Sequence, residues 1–453
     1  MSTPRKGRSA RRWLATASAV VTIAVAGSVP VPPAGAADEP TDMVLVWNAN
    51  AVNVISQPSA STGLGQGPPL SALNMAMVHG AIYDAVNAID GGHEPYLPGL
   101  SAPSTASQAA AVAQAAHDVL YGLTPAADTA ANNAVRNRID GLLATSLAMI
   151  DDGPAKADGI EVGADAAAAM LAARVGDGRS DNEPWVVGDD PGEWRTVPPF
   201  SGNVLGQFAT VRPLTLTSPD QFITAGPLDV TSKRYAEEFN EVKALGARFG
   251  SSRTEAQRLT AGFFTANPVV FYNTGLRAIA TAEGLSTSEQ ARLFVKASMG
   301  SADALIGCFA NKKRWNAWRP ETAIHAAGSD GNPLTVADPD WVSLFVPPGY
   351  PDEPSGYNCY TGGFWQSVRY FFGTDKMAFS LTSPGVAANA GAGNPIGVEG
   401  STKSFGRFTD VIDGTIEGRI LNGFHFRSGD VQGAWLGKKV AQWVDQRHFA
   451  PVD

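Results

Sequence analysis

The chain has 453 residues, of which 44% are apolar and 17% are charged, and its formal net charge is −9. This length and composition are enough to bury one large core or two, because domains usually contain about 100–200 residues. The composition excludes a disordered chain, and 34 basic against 43 acidic residues give no positive surface for nucleic acid. A small molecule is therefore the expected partner.

The first 36 residues have the order of an export signal. A basic stretch that ends in paired arginines precedes a mildly apolar run at residues 13–29, and small residues follow at 34–36. The apolar run is short for a membrane span, which needs about 20 residues. We predict that residues 1–36 are a signal peptide, that the mature chain starts near Ala37, and that the protein is secreted by the twin-arginine or the general secretory route. No other stretch is expected to span a membrane.

The mature chain is predicted to be mostly helical on both sides of an irregular stretch. Apolar residues recur at three- and four-residue intervals in seven or more segments, which is the pattern of amphipathic helices. The predicted helices span residues 73–89, 107–123, 124–150, 165–175, 232–246, 286–298, 302–318 and about 415–446. Residues 176–230 are crowded with Gly, Pro and Trp, which excludes regular helix.

The sequence therefore predicts an all-α fold of two helical bundles. The N-terminal bundle and the irregular stretch at residues 176–230, which we call the strap, together occupy residues 37–230. The C-terminal bundle occupies residues 231–453. Ser286 and Glu289 have the spacing of a capping box at a helix start. The two cysteines, Cys308 and Cys359, fit a disulfide in an oxidising compartment and buried free thiols equally well.

One cluster of basic and aromatic residues predicts an anion site in the C-terminal bundle. Lys312 and Arg319 are seven residues apart, which would place them on one face of a continuous helix. Pro320 disfavours helical geometry at Arg319 and would place its guanidinium at the helix end. Trp315 and Trp318 indicate a walled pocket around the charges, whereas a solvated basic turn is the alternative interpretation.

Two later segments offer further groups for the same anion. Ser355 and Gly356 precede an amphipathic stretch, so a hydroxyl and free backbone N–H groups would face an anionic oxygen there. Tyr357 follows directly and would touch that anion. Arg419 and His425 are six residues apart, about 120° around a straight helix, so a bend is needed to direct both inward.

The order of these segments resembles a known family. Lys-x6-Arg-Pro, then Pro-Ser-Gly-x, then Arg-x5-His is similar to the pattern of the vanadium-dependent haloperoxidases and the type 2 phosphatidic acid phosphatases. The stretches "WRPETAI", "PSGYNCYTGGF" and "GFHFRSGDVQGAWLG" resemble the bacterial haloperoxidase-like branch. The earlier "AMVHGAIYDAVNAI" extends the likeness to most of the mature chain.

The resemblance implies a role for each residue. The oxygens of vanadate or phosphate would be held by Lys312, Arg319, Ser355, Gly356 and Arg419. His425 would be the axial ligand of vanadate or the nucleophile towards a phosphoester. Tyr350 and Trp318 would line the substrate pocket. Three fixed cations and a hydroxyl suit a trigonal-bipyramidal oxyanion, which both chemistries present.

Tyr357 departs from the family, which has a histidine there as acid and base. A phenol with a pKa of about 10 is a poor proton shuttle near neutral pH, while the imidazole of histidine has a pKa near 6.5. Three functions stay open. The first, which the length of the mature chain favours, is a haloperoxidase-like enzyme that oxidises halide with hydrogen peroxide at vanadate. The others are a phosphoester or diphosphate hydrolase, and a vanadium-independent enzyme or anion-binding protein.

Overall fold

The computed structural model describes residues 42–56, 64, 67–197, 204–385 and 396–452. The predicted signal peptide and the predicted start of the mature chain near Ala37 lie outside these residues. The described residues belong to one compact unit that spans residues 39–453.

Thirteen α-helices and two strands make up the regular structure of the described residues, together with two short 3-10 helices. The helices are α1 (Met43–Ile55), α2 (Gly67–Asp90), α3 (Gln108–Leu123), α4 (Ala130–Leu147), α5 (Pro154–Ala173), α6 (Lys233–Gly246), α7 (Glu255–Phe263), α8 (Pro268–Ala282), α9 (Thr287–Trp315), α10 (Pro320–Ala326), α11 (Gly356–Phe372), α12 (Phe408–Leu421) and α13 (Arg427–Arg447). The strands β1 (Lys376–Thr382) and β2 (Thr402–Arg407) pair antiparallel. The predicted all-α class is confirmed, with this one hairpin as an addition.

Two predicted helix boundaries in the C-terminal half were wrong. The segments 286–298 and 302–318 form one helix, α9, because Gly300 and Ser301 are small residues that a buried helix accommodates. The predicted run 415–446 is divided into α12 and α13 by a turn at Gly423, whose φ of 83° is in the left-handed region that favours glycine. The capping box at Ser286 is present in the structure.

Helix α9 is the central element of the fold. It packs against α2 from the N-terminal half and against α11 and α13 from the C-terminal half. The largest hydrophobic cluster of the described residues therefore contains residues from both halves, while the division at residues 230 and 231 stays a prediction. By length and composition α9 is apolar enough to cross a membrane, which the sequence interpretation overlooked, but 94% of its apolar window is buried inside the protein.

Glycines bring α11 close to its two neighbours. A Cβ atom at Gly363 would lie 2.5 Å from the carbonyl oxygen of Gly300 in α9, and one at Gly437 would lie 2.3 Å from the carbonyl oxygen of Cys359. A Cβ atom at Gly433 of α13 would lie 2.6 Å from the carbonyl oxygen of Ser355. These contacts fix the start of α11, where the predicted anion site begins, against α13.

The Gly/Pro/Trp-rich strap is irregular in its described residues, 176–197 and 204–230, apart from the one-turn 3-10 helix Gly206–Ala209. Buried polar residues hold it against α9. Asp303 of α9 accepts hydrogen bonds from the amides of Leu214, Thr215 and Leu216 at 2.7, 2.6 and 3.0 Å. The Oδ1 atom of Asn311 accepts the amide of Thr224 at 2.9 Å. Buried backbone groups outside regular structure need such partners.

Replacing Asp303 by asparagine is expected to lower the free energy of unfolding by about 2–3 kcal/mol. The side-chain NH₂ group of the asparagine would face backbone N–H groups of the strap, which need an acceptor. Denaturant unfolding would measure the loss. The matched control is Asp220→Asn, since Asp220 is exposed and accepts a hydrogen bond from Ser218 within its own turn. Equal stability of the two variants would contradict the role of Asp303 as the anchor of the strap.

Candidate active site

The residues predicted to hold an oxyanion lie at helix ends of the C-terminal half. We call them the cradle: Lys312, Arg319, Ser355, Gly356, Arg419 and His425. Lys312 lies in the last turn of α9, and Arg319 directly precedes α10. Ser355 and Gly356 stand at the start of α11. Arg419 lies in the last turn of α12, and His425 lies in the turn between α12 and α13.

Lys312 and Arg319 do not share a helix face, contrary to the sequence expectation. Helix α9 ends at Trp315 because Asn316 adopts the left-handed conformation, with φ 45°. Arg319 is extended, with φ −91° and ψ 160°, as its position before Pro320 predicted. The turn between the two residues, instead of helical periodicity, brings both side chains to the same buried site.

Asp352, which the sequence analysis did not single out, lies at the centre of the site. Its Oδ1 atom contacts Nδ1 of His425 in a short hydrogen bond and lies 3.7 Å from Nη1 of Arg319. The Nζ atom of Lys312 donates to the backbone carbonyls of Pro351 and Asp352 at 2.7 and 2.6 Å. The side chains of Lys312, Arg319, Asp352 and His425 are each at most 2% exposed, so these charges act in a medium of low dielectric.

The hydrogen bond to Asp352 sets the tautomer of His425. Burial, and then the positive charges of Arg319, Arg419 and Lys312, hold the pKa of His425 well below its usual range, so the ring is neutral. Burial raises the pKa of Asp352 to about 6 against the opposing effect of Arg319 and Lys312. At neutral pH the carboxylate is therefore mostly ionised and accepts the proton of Nδ1. The lone pair of Nε2 is then available to a ligand.

Arg419 is held between two aromatic rings. Its guanidinium carbon lies 4.9 Å from the ring centre of Tyr357 and 4.5 Å from that of Phe424. Arg319 also contacts Phe424, because its Nη1 atom donates to the carbonyl of Phe424 at 3.1 Å. Cation–π contacts of this kind orient a guanidinium without using its N–H groups.

The Tyr357 hydroxyl has a structural partner of its own. It donates to the carbonyl of Ala266 at 2.8 Å, and burial raises the pKa of the phenol well above its usual value. The ring supports Arg419, while the hydroxyl is bonded to the segment between α7 and α8. This arrangement argues against the predicted part of Tyr357 in proton transfer.

The start of α11 provides polar groups to the site. Ser355 is the N-cap residue, but its hydroxyl makes no capping bond and instead accepts from Nδ2 of Asn358 at 3.2 Å. Asn358 also donates to Asp430 at 2.7 Å, and Asp430 is hydrogen-bonded to Ser355 as well. The amide of Gly356 is one of the N–H groups at a helix start that lack an intrahelical partner.

Two buried donors of the cradle have no protein partner among the described residues. These atoms are Nη2 of Arg319 and Nε of Arg419. Burying charged donors without acceptors is costly, and an anion in this site would supply the acceptors that the two groups lack. The described structure thus brings Lys312, Arg319, Arg419 and His425 to one buried site, and Ser355 is linked to it through Asp430. That these groups hold an anion stays a prediction.

The two residues predicted to line a substrate pocket have different surroundings. The ring centre of Tyr350 is 5.1 Å from Nζ of Lys312 and 5.1 Å from the guanidinium carbon of Arg319, so Tyr350 is a wall of the cradle itself. Trp318 is buried and lines a separate recess next to Asp352. Their roles towards a substrate stay predictions.

Glu353 is a buried acid beside the cradle. Burial and the neighbouring Asp352 and Glu238 raise the pKa of Glu353 to about 8, and its Oε1 atom accepts from Nε2 of Gln432. The folded chain therefore keeps a proton that the unfolded chain releases between about pH 4.5 and 8. Stability accordingly falls as the pH rises through this interval.

Glu353→Gln is expected to raise the free energy of unfolding at pH 9 by about 2–4 kcal/mol relative to the native chain, and to change it little near pH 4. The glutamine keeps the acceptor for Gln432 and removes the buried charge. Chemical unfolding across this pH range would measure the difference. Glu161→Gln, on the exposed face of α5, is the control and should leave the pH dependence unchanged. A Glu353→Gln profile parallel to the native one would contradict the raised pKa.

The two cysteines are free and buried. Cys308 lies one helical turn before Lys312, and its sulfur contacts the carbonyl of Pro354 at 3.3 Å. Cys359 lies one turn after Ser355, and its thiol is hydrogen-bonded to Cys308. Of the two alternatives that the sequence left open, the structure has free thiols.

Comparison with known proteins shows which family the C-terminal part of the chain resembles. Residues 292–453, which contain every cradle residue, match the family described as the vanadium chloroperoxidase second helical-bundle domain. The vanadium chloroperoxidase of Curvularia inaequalis is 32% identical over 126 residues, which are 23% of this chain and 20% of that protein. The matched part is therefore about a fifth of the fungal enzyme.

Solved structures resemble the chain over almost its whole length. The structure described as the first bacterial vanadium-dependent iodoperoxidase has a TM-score of 0.69 at 20% identity, and covers 92% of this chain and 100% of its own. A holo-type bacterial vanadium-dependent chloroperoxidase has a TM-score of 0.68 at 16% identity, and covers 90% of this chain and 97% of its own. At this identity the likeness shows the fold. Together with the domain match over residues 292–453, the shared fold supports the resemblance to the vanadium-dependent haloperoxidase and type 2 phosphatidic acid phosphatase superfamily that the sequence motifs indicated.

Proposed function

We propose that the chain is a vanadium haloperoxidase-like enzyme that oxidises halide with hydrogen peroxide at a vanadate bound by His425. The observation that carries the proposal is the arrangement around Asp352: a neutral His425 with Nε2 available, beside guanidinium N–H groups of Arg319 and Arg419 that have no partner among the described residues. A tetrahedral oxyanion supplies the missing acceptors.

The residues of the cradle fit vanadate. Arg319, Arg419 and the remaining N–H of Lys312 would hold its oxygens, with the Ser355 hydroxyl and the Gly356 amide completing the cradle. His425 would be its protein ligand, and a ligand histidine whose other nitrogen is bonded to a carboxylate is the usual arrangement in metal sites. Bound vanadate would supply the chemistry of halide oxidation by hydrogen peroxide.

The protein's own residues contribute to the proposed reaction mainly by electrostatic stabilisation. Three buried cations stabilise the negative charge of the oxyanion throughout turnover, because their positions are fixed before substrate binds. Asp352 holds the proton of His425 at Nδ1 and keeps the ring oriented. Burial lowers the pKa of Lys312 to about 8, so its charge on the cradle is maintained below that pH. Since the Tyr357 hydroxyl is bonded to Ala266, protons would reach the oxyanion from water, and turnover would be slow.

A phosphoester or diphosphate hydrolase is the second candidate, because the same neutral and oriented His425 is suited to attack phosphorus. One experiment compares the two. The purified protein is titrated with orthovanadate and followed by thermal shift, and the loaded protein is assayed for iodide and bromide oxidation beside a phosphatase assay without vanadate. We expect vanadate to raise the melting temperature and halide oxidation to depend on it. Phosphatase activity without halide oxidation would overturn the proposal, and neither activity would favour a vanadium-independent or anion-binding role.

We also propose that the protein works outside the cytoplasm, by the twin-arginine or general secretory route. The support is the order of basic, apolar and small residues in the first 36 positions. N-terminal sequencing of the protein recovered from the culture medium should find a start near Ala37. Recovery of the uncleaved chain from the cytoplasm alone would contradict export.

A further inference from the structure

Two buried thiols meet close to the cradle residues Lys312 and Ser355. Cys308 lies on α9, one helical turn before Lys312, and Cys359 lies on α11, one turn after Ser355. Both side chains are fully buried, and the thiol of Cys359 is hydrogen-bonded to Cys308. We call Cys308 and Cys359 the thiol pair. They are the only cysteines of the sequence, so any disulfide within one chain must join them.

The packing of α11 against α9 brings the two sulfurs together. A Cβ atom at Gly363 of α11 would lie 2.5 Å from the carbonyl oxygen of Gly300 in α9. Nearer the start of α11, a Cβ atom at Gly356 would lie 3.9 Å from the side chain of Leu305. The backbones of the two helices are therefore close along this stretch, as a disulfide between them requires.

Hydrogen bonds fix the direction of the thiol protons. The sulfur of Cys308 donates to the carbonyl oxygen of Pro354 at 3.3 Å. Its own proton therefore points away from Cys359, and its lone pairs are left to accept the proton of the Cys359 thiol. A thiol is a weak hydrogen-bond donor, so a covalent bond between the two sulfurs would replace only weak interactions.

We propose that the thiol pair is a modification site, at which hydrogen peroxide converts Cys308 and Cys359 into a disulfide that joins α9 to α11. In the first step the sulfur of one thiol attacks a peroxide oxygen, the O–O bond breaks, and a sulfenic acid and one water form. The second thiol then attacks the oxidised sulfur, and hydroxide leaves with the proton of that thiol as a second water. The two sulfurs together lose the two electrons that reduce the peroxide.

The surroundings of the thiol pair select its oxidant and limit its rate. Because neither side chain is exposed, the oxidant has to be small and uncharged, as hydrogen peroxide is. Burial, and then the hydrogen bond to Cys308, raise the pKa of the Cys359 thiol well above its usual value, which keeps its thiolate scarce and the reaction slow.

The second thiol protects the first from irreversible oxidation. A sulfenic acid without a neighbouring thiol is oxidised further to a sulfinic acid. Its negative charge would then be buried one helical turn from Lys312, which is costly and would compete with an anion in the cradle. The disulfide is uncharged and is reversed by reduction, so peroxide leaves the charge of the cradle unchanged.

The first test counts the thiols of the purified, reduced protein. Vanadate and halide are absent, so the result does not depend on the proposed function. The protein is kept in hydrogen peroxide, the peroxide is removed with catalase, and the chain is unfolded in N-ethylmaleimide for mass spectrometry. We expect two alkylated thiols before treatment and none after it, with the peptides of Cys308 and Cys359 linked, and dithiothreitol should restore both thiols. Two alkylated thiols after treatment, or sulfinic acid in place of the disulfide, would overturn the proposal.

The second test measures whether the bond fits the fold. A cross-link that closes a loop of about 50 residues should raise the melting temperature of the peroxide-treated native protein by about 2–5 °C. Cys359→Ser keeps a hydrogen-bond donor beside Cys308 but cannot form the bond, so peroxide should not raise its melting temperature. Cys308→Ser, which keeps a donor to Pro354, is the second control. A lower melting temperature of the oxidised native protein, or an equal rise in either variant, would contradict the proposal.

Discussion

Replacing His425 by alanine is expected to weaken orthovanadate binding by about 100-fold or more and to remove halide oxidation. Mutation of residues that only orient a ligand typically costs about 10- to 100-fold in metal affinity or activity, so loss of the ligand itself should cost at least as much. The fold should survive, since Asp352 keeps its contact with Arg319 after the ring is removed. Thermal-shift titration with orthovanadate and an iodide-oxidation assay measure the two effects.

Two further variants give this prediction its controls. Asp352→Asn keeps the histidine and changes the group that orients it, so its losses should be intermediate. His93→Ala alters a partly buried histidine beside Asn87, outside the cradle, and should behave as the native protein. If His425→Ala binds orthovanadate as tightly as His93→Ala does, the histidine is not the ligand and the proposed function fails.

The helical fold was predictable because its determinants are local. The capping box at Ser286 and the helix end at Gly246 were both readable from the sequence, and the structure has both. What local patterns could not reveal was that α9 continues through Gly300 and Ser301. That continuity depends on the close approach of α11, whose Gly363 leaves room for it. Tertiary packing of this kind overrides local propensity.

The cradle was predictable as a set of residues but not as an arrangement. Lys312 and Arg319 were expected on one helix face, and a left-handed residue, Asn316, brings them together instead. Asp352 lies three residues before Ser355, just outside the Pro-Ser-Gly motif, and was not predicted because a carboxylate is not expected among anion-binding groups. The expected neighbours of Asp352 could have indicated it, because a buried histidine and arginine need a hydrogen-bonded counter-charge to stay oriented.

Tyr357 is the residue whose replacement should increase activity. Tyr357→His is expected to raise vanadate-dependent halide oxidation, by up to about 100- to 10,000-fold if proton transfer limits turnover, because an imidazole has a pKa near the working pH. Tyr357→Phe, in contrast, should leave turnover unchanged. It removes the hydrogen bond to Ala266 and keeps the ring that supports Arg419, so we expect only a loss of about 1 kcal/mol in the free energy of unfolding.

The Tyr357→His and Tyr357→Phe variants distinguish a structural role of the Tyr357 ring from a catalytic role of its hydroxyl. If the phenol transfers protons, Tyr357→Phe abolishes turnover, and the interpretation of Tyr357 as the support of Arg419 is wrong. If the gain in Tyr357→His comes from proton transfer at the oxyanion, the double variant with His425→Ala should lose it entirely, because nothing then holds the oxyanion beside the new imidazole. A gain that persists in the double variant would show that the new histidine acts without the cradle. Rates with and without added orthovanadate, measured from pH 5 to 8, distinguish these outcomes, since a working imidazole makes turnover depend on pH near 6.5.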